Sequence, residues 1–176
     1  MYRLQKHDNK TLGMHWHPHK GGAAHYHESS KLGKSLPVSI VLGGDPALIF
    51  SSIAPLPENI DEVLFSAFLK NKKIKLAKSQ HSNIMIPSNA EFIIEGVVPI
   101  NKTRMEGPFG DHFGYYSMES EFPYLEIKSI TRKNNPVFPA TVVGRPPKED
   151  MFLGMAATDI FGPLIRLVNP EVEDMW

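Results

Sequence analysis

Residues 105–116, MEGPFGDHFGYY, set Glu106, Asp111 and His112 among three glycines and a proline. Such a segment cannot be regular helix. Glycine permits tight turns and close approach of backbone to a ligand. A segment that fixes two carboxylates suits general acid–base work, because one can be held protonated while the other stays ionised. The plain alternative is a glycine-rich surface turn with solvated acids. Trp16, Phe109, Phe113, Tyr115 and Tyr116 are expected in the core, as aromatics usually are.

A second cluster is HWHPHKGG at 15–22. Closely spaced neutral imidazoles can bind a divalent cation. His, Trp and Lys beside a glycine pair can equally cradle a phosphorylated aromatic cofactor, with Trp16 offering a ring face, Lys20 a charge and Gly21 a bare N–H. An ordinary strand with polar positions is the third option; in it His15 and His17 share one face. Arg3 has the shape to hold a carboxylate by two parallel bonds. Glu62 falls on the polar side of an expected helix, where a carboxylate normally faces water.

The elements that must position these groups follow from periodicity. PVSIVLGG (37–44) reads as a strand ending at a glycine pair, and Asp45-Pro46 as a helix start before ALIFSSI. Ile60, Val63, Leu64, Ala67 and Phe68 recur at helical spacing as one apolar face, with Lys70, Lys72 and Lys73 near the helix end. IKLAKS (74–79) and EFIIEGVVPI (91–100) read as strands. SQHSNIMIPSNA reads as a loop with one short extended piece. FPYLEIKSITRK (122–133) alternates as a half-buried strand, and PVFPATVVG (136–144) is expected to be an edge or bulged strand. DMFLGMAATDIFGPLIRLV (150–168) is expected to be helical but broken at Gly162-Pro163, with Met151 and Met155 packing inward. The order predicts one α+β domain with an antiparallel, barrel-like sheet.

Composition narrows the classes. Lys+Arg and Asp+Glu number 19 each, so a broadly basic nucleic-acid binder is not expected. The absence of cysteine from 176 residues excludes disulfides, Cys-ligated zinc and thiol catalysis. No apolar run is expected to reach the length of a membrane span, and the N-terminus has no signal-peptide core. A cytoplasmic location fits.

Several blocks together resemble the UbiD family of decarboxylases (3-octaprenyl-4-hydroxybenzoate carboxy-lyase-like), which use prenylated FMN. They are Tyr2-Arg3, MHWHPHKGGA (14–23), PVSIVLGGDPA (37–47), PLPENIDE (55–62), PSNAEFIIEG (87–96), EGPFGDHFGYY (106–116) and GRPPKED (144–150). They stand in the family's order and cover nearly the whole chain. The resemblance implies a split β-barrel of the flavin-reductase-like FMN-binding type with flanking helices. It implies that residues 1–176 are the central cofactor-binding and catalytic domain, truncated at both ends. The implied reaction is non-oxidative loss of CO2 from an aromatic or unsaturated acid, a hydroxybenzoate or naphthoate quinone precursor. The alternative is an inactive fragment that binds flavin or metal only.

The resemblance assigns Arg3, Glu106 and Asp111 as the active-site triad, with Asp111 the proton donor. It assigns Tyr2, Arg3, His15, Trp16, His17, Lys20 and Gly21 to the cofactor, and Glu62 and His19 to the metal, in place of the solvated reading of Glu62. His15 and Lys20 stand where family members have arginines, which implies weaker or pH-dependent phosphate binding. The family's metal-ligand asparagine would precede Met1. The implied cofactors are prenylated FMN and Mn2+, with a monovalent cation such as K+. The implied partners are an aromatic acid substrate, a flavin prenyltransferase that supplies the cofactor, and further copies of the full-length protein. No nucleic acid or transmembrane segment is expected, though a lipophilic substrate would allow membrane association.

Overall fold

The structure is a computed structural model that describes residues 3–17, 21–57, 60–110, 114–142 and 144–175, without the side chain of Arg3. The chain divides into two compact units, residues 1–45, 74–109 and 118–139 in the first and 46–73, 110–117 and 140–176 in the second.

The first unit is built on one long strand, β8 (Ser120–Arg132). Its alternation works as the sequence predicts: Leu125 is fully buried, while Tyr124 and Glu126 on either side are only half-buried. On one side β8 pairs with β2 (Thr11–His15), which pairs in turn with β1 (Arg3–Lys6). Further along it pairs with β6 (Phe92–Val98) and with β7 (Thr103–Glu106). The strand β3 (Leu36–Leu42) pairs with β6, and all these pairings are antiparallel. The resulting order, β1-β2-β8-β6-β3 with β7 also on β8, leaves β1 and β3 as edges. The sheet is therefore open among the described residues, and the expected barrel does not close.

The register of β6 on β8 shifts between Glu95 and Gly96. A side chain at Gly96 would overlap the carbonyl of Glu126, so only glycine allows this close crossing. Helix α1 (Gly21–Lys31) opens on two poor helix formers, Gly21 and Gly22, where periodicity predicts no helix. It forms because Ala23 and Tyr26 pack into a core with Met14, Trp16, Val98 and Leu125. Gly21 and Gly22 occupy the first two helical positions, and the glycine penalty of about 1 kcal/mol per residue applies to a helix interior, so the packing of the residues that follow decides. A two-stranded ribbon, β4 (Leu76–Lys78) with β5 (Met85–Pro87), completes the unit.

Two further expectations fail here. Residues 136–142 form no strand; the Val137 N–H instead donates to the Glu91 carboxylate at 3.0 Å. The strand option for HWHPHKGG also falls short, because β2 stops at His15 and the two imidazoles do not share a strand face.

The second unit holds α2 (Pro46–Ser51), α3 (Glu62–Lys70) and α4 (Glu149–Val168). Asp61 caps α3, its carboxylate accepting from the N–H groups of Val63 at 2.7 Å and Leu64 at 3.0 Å. The apolar face expected of α3 is not buried: Leu64 and Phe68 are exposed, and Phe65 makes the inward contact, 5.7 Å from the Phe161 ring. Tyr115 and Tyr116 are exposed rather than in the core, as are Met151 and Met155. Helix α4 runs through Gly162-Pro163 without a break. Proline normally clashes with the preceding Cβ and N–H, and glycine removes half of that clash. By length and composition alone α4 would suffice to cross a bilayer, against the expectation that no run approaches that length. Asp159 and Arg166 interrupt its apolar surface, and Phe161 and Gly162 are buried.

Candidate active site

Glu106 is the last residue of β7, a strand that reaches into the glycine-rich segment 105–116. It is 1% exposed. Among the described residues neither carboxylate oxygen has a hydrogen-bond partner. Burial without a donor disfavours the charged form, and the Glu106 pKa is raised to about 7. The Met14 N–H nearby pulls in the opposite direction but falls short of hydrogen-bonding geometry. Among the described residues no cation contributes to the shift.

The carboxylate lies directly on Gly13 of β2. A β-carbon there would overlap the carboxylate and stand 2.8 Å from the Glu106 Cγ. Sequence reasoning missed Gly13, although a lone glycine inside an alternating strand is a sign of close approach by another group. It also missed two tethers from the β1–β2 hairpin to β7. The Gly107 N–H donates to Gln5 Oε1 at 2.8 Å. The Arg104 guanidinium donates to Thr11 Oγ1 at 2.8 Å and Asp8 Oδ2 at 3.0 Å, and lies 4.8 Å from the Tyr124 ring centroid. Asp8 also accepts from the Lys10 N–H at 2.7 Å. That bond, then Thr11 and Arg104, hold its carboxyl well below the usual range.

The other expected residues are distributed as follows. His15 ends β2, its ring 4.1 Å from Phe122 and 5.4 Å, nearly perpendicular, from Phe109. Arg3 and His15 face each other in the β1–β2 register, so the backbone brings those two positions together. Trp16 is buried against Tyr26, its ring turned into the core. His17 is exposed beyond the strand end, and Gly21 opens α1 with no described atom within 4 Å of where a β-carbon would stand. Glu62 is exposed in the first turn of α3, in the second unit. Tyr2, His19, Lys20 and Asp111 lie outside the described residues, as does the Arg3 side chain. Among the described residues no three His, Asp or Glu side chains cluster as a metal site.

Residues 1–146 match the family model for UbiD, the 3-octaprenyl-4-hydroxybenzoate carboxy-lyase Rift-related domain. The chain belongs to the UbiD family. One relative, a 4-hydroxybenzoate decarboxylase subunit from Chlamydia pneumoniae, is 43% identical over 172 residues, covering 98% of this chain and 30% of the relative. The UbiD-class enzyme HmfF of Pelotomaculum thermopropionicum, solved with FMN, superposes with a TM-score of 0.85 at 25% identity over 98% of this chain and 38% of its own. The closed form of the vanillic acid decarboxylase of Sedimentibacter hydroxybenzoicus gives 0.83 at 27% identity over 86% and 32%. The UbiD-family chain thus spans about a third of the length of the curated relatives it matches, 37% and 30% in two of them.

Proposed function

We propose that residues 1–176 are the central cofactor-binding and catalytic domain of a decarboxylase that removes CO2, without oxidation, from an aromatic acid. The observation that carries this reading is the Glu106 carboxylate, buried, without a hydrogen-bond donor among the described residues and with its pKa raised to about 7. A group that changes protonation near neutrality can both take and return a proton at working pH.

A prenylated flavin, when bound, supplies the sink for the electron pair that departing CO2 leaves on carbon. The described residues fit it at one point: Gly21 opens α1, whose first N–H groups lack helical partners and suit a phosphate. Tyr2, His15, His17 and Lys20 are proposed beside that group. Trp16, turned into the core, would support the strand end rather than stack on the flavin. Arg3 would orient the substrate carboxylate through two parallel bonds, Glu106 would hold a proton beside it, and Asp111 would deliver the proton that replaces CO2. For manganese or a monovalent cation the described residues offer only the exposed Glu62, which is not a binding set, and no step is routed through a metal.

A hydroxybenzoate-type substrate is supported by the names of the Chlamydia and Sedimentibacter relatives. A place in quinone synthesis, a flavin prenyltransferase as cofactor supplier, self-assembly and a cytoplasmic location complete the proposal. One solved form of HmfF is dimeric. A second reading, flavin binding without turnover, draws on the chain's spanning about a third of its relatives.

The test is to load the protein with prenylated FMN and measure CO2 released from 4-hydroxybenzoate alongside flavin absorbance. Asp111→Asn and Glu106→Gln should each lose about 100-fold or more in turnover with flavin retained. Full turnover in Asp111→Asn would refute its role. Bound flavin with no CO2 from the unmodified chain decides for the second reading.

A further inference from the structure

The two tethers bracket Glu106. Gly107 follows it directly, and its N–H is held by Gln5. Arg104 precedes it by two positions on the same strand and is held by Thr11 and Asp8. Both anchors belong to the β1–β2 hairpin, and so does Gly13, on which the carboxylate rests. Gln5 and Gly13 are direct partners in the hairpin register. The side chain that holds the residue after Glu106 therefore springs from the position facing the hollow that receives its carboxylate. Strand β7 has only four residues on β8, a short ladder for fixing a buried acid. The hairpin contacts supply the rest.

We propose that Gln5 and Arg104 are positioning residues for Glu106, clamping β7 to the β1–β2 hairpin on both sides of the carboxylate so that it stays seated over Gly13. The inference rests on the reading of Glu106 as the proton-holding carboxylate, but its test needs neither flavin nor turnover. Gln5 is the stronger anchor, because its bond to Gly107 is partly buried, whereas the Arg104–Asp8 pair is exposed and screened by water. Arg104 still contributes through Thr11, which is buried, and through the face of Tyr124.

The experiment follows the Gly107 amide by hydrogen exchange and the Glu106 carboxyl carbon by NMR titration. Three variants are compared with the unmodified protein. Gln5→Met keeps side-chain bulk but removes the acceptor, Gln5→Glu retains an acceptor, and Arg104→Met removes the second anchor. In Gln5→Met the Gly107 amide should exchange about tenfold faster. The Glu106 midpoint should fall toward the ordinary carboxylate range as water reaches it. Gln5→Glu should keep Gly107 protected, a rescue that a bulk packing role would not require. Arg104→Met should move the Glu106 midpoint in the same direction by less. An unchanged Gly107 exchange rate and an unchanged midpoint in Gln5→Met would overturn the clamp. Should Gln5→Met fail to fold, the unmodified protein still decides: fast exchange at Gly107 overturns the proposal and slow exchange supports it. A midpoint already ordinary in the unmodified protein would instead sink the reading of Glu106 as a neutral-pH acid, while Gly107 protection reports on the tether separately.

Discussion

Glu106 fills the space that a side chain at residue 13 would need, so the acid and Gly13 form a lock and its recess across two strands. The overlap involves the carboxylate and its Cγ, not a neighbouring backbone, so relief must come by expelling the acid from its hollow.

Gly13→Ala should therefore displace the Glu106 side chain and destabilise the protein by about 1–3 kcal/mol, the usual range for overpacking. Urea denaturation measures the loss. Glu106→Ala in the same chain should restore most of it, since it removes the atoms in conflict. Additive losses in the double variant would show that the two positions do not compete for one space.

Glu106 should also mark the pH profile of stability. Its folded pKa, about 7, is raised above the 4.5 of an unperturbed glutamate. Between those values the folded state binds more protons than the unfolded one, so this group's effect is to lower stability as pH rises. The carboxylates of Asp8, Glu91 and Glu149 are shifted the other way, and their contributions are lost as pH falls into the acid range. The windows are separate. Glu106→Gln should flatten the loss between about pH 5 and 8 and leave the acid limb unchanged. Denaturation midpoints across that range, compared with the parent, check it; parallel profiles would count against the raised pKa.

Glu95 is a second buried carboxylate with a different fate, because it is satisfied. It accepts from the Gln80 N–H at 3.1 and 3.3 Å and from Ser129 Oγ at 3.3 Å. Glu95→Ala should cost about 1–3 kcal/mol by stranding those donors. Amide exchange at Gln80 should accelerate, while the β3–β6 ladder stays protected.

Leu125, fully buried at the centre of β8, touches the core that α1 covers. Leu125→Ala should destabilise by about 2–5 kcal/mol. Ile130→Ala, on the same strand but exposed, should stay within about 0.5 kcal/mol. Thermal melts of the pair separate burial from strand propensity.

Local periodicity made much of the fold legible. The alternation of Leu125 with Tyr124 and Glu126, the run from Val38 to Leu42 and the helix start at Asp45-Pro46 each express a choice settled within a few residues. The failures are places where distant packing overrules local preference. Gly21-Gly22 joins a helix because Ala23 and Tyr26 reach the core, and Gly162-Pro163 continues one. Residues 136–142 lack the ladder that their β-branched composition invites.

The same division runs through the candidate site. Residue types and their order, from Tyr2-Arg3 to the GDH segment, were enough to point to the UbiD family and to single out Glu106. Its burial on Gly13 and the resulting rise of its pKa were decided only in three dimensions. They depend on Gly13, and on a Gln5–Gly107 bond that joins residues 102 apart in the chain. A carboxylate's charge state is set by what displaces water around it, and those atoms come from strands that sequence spacing does not bring together.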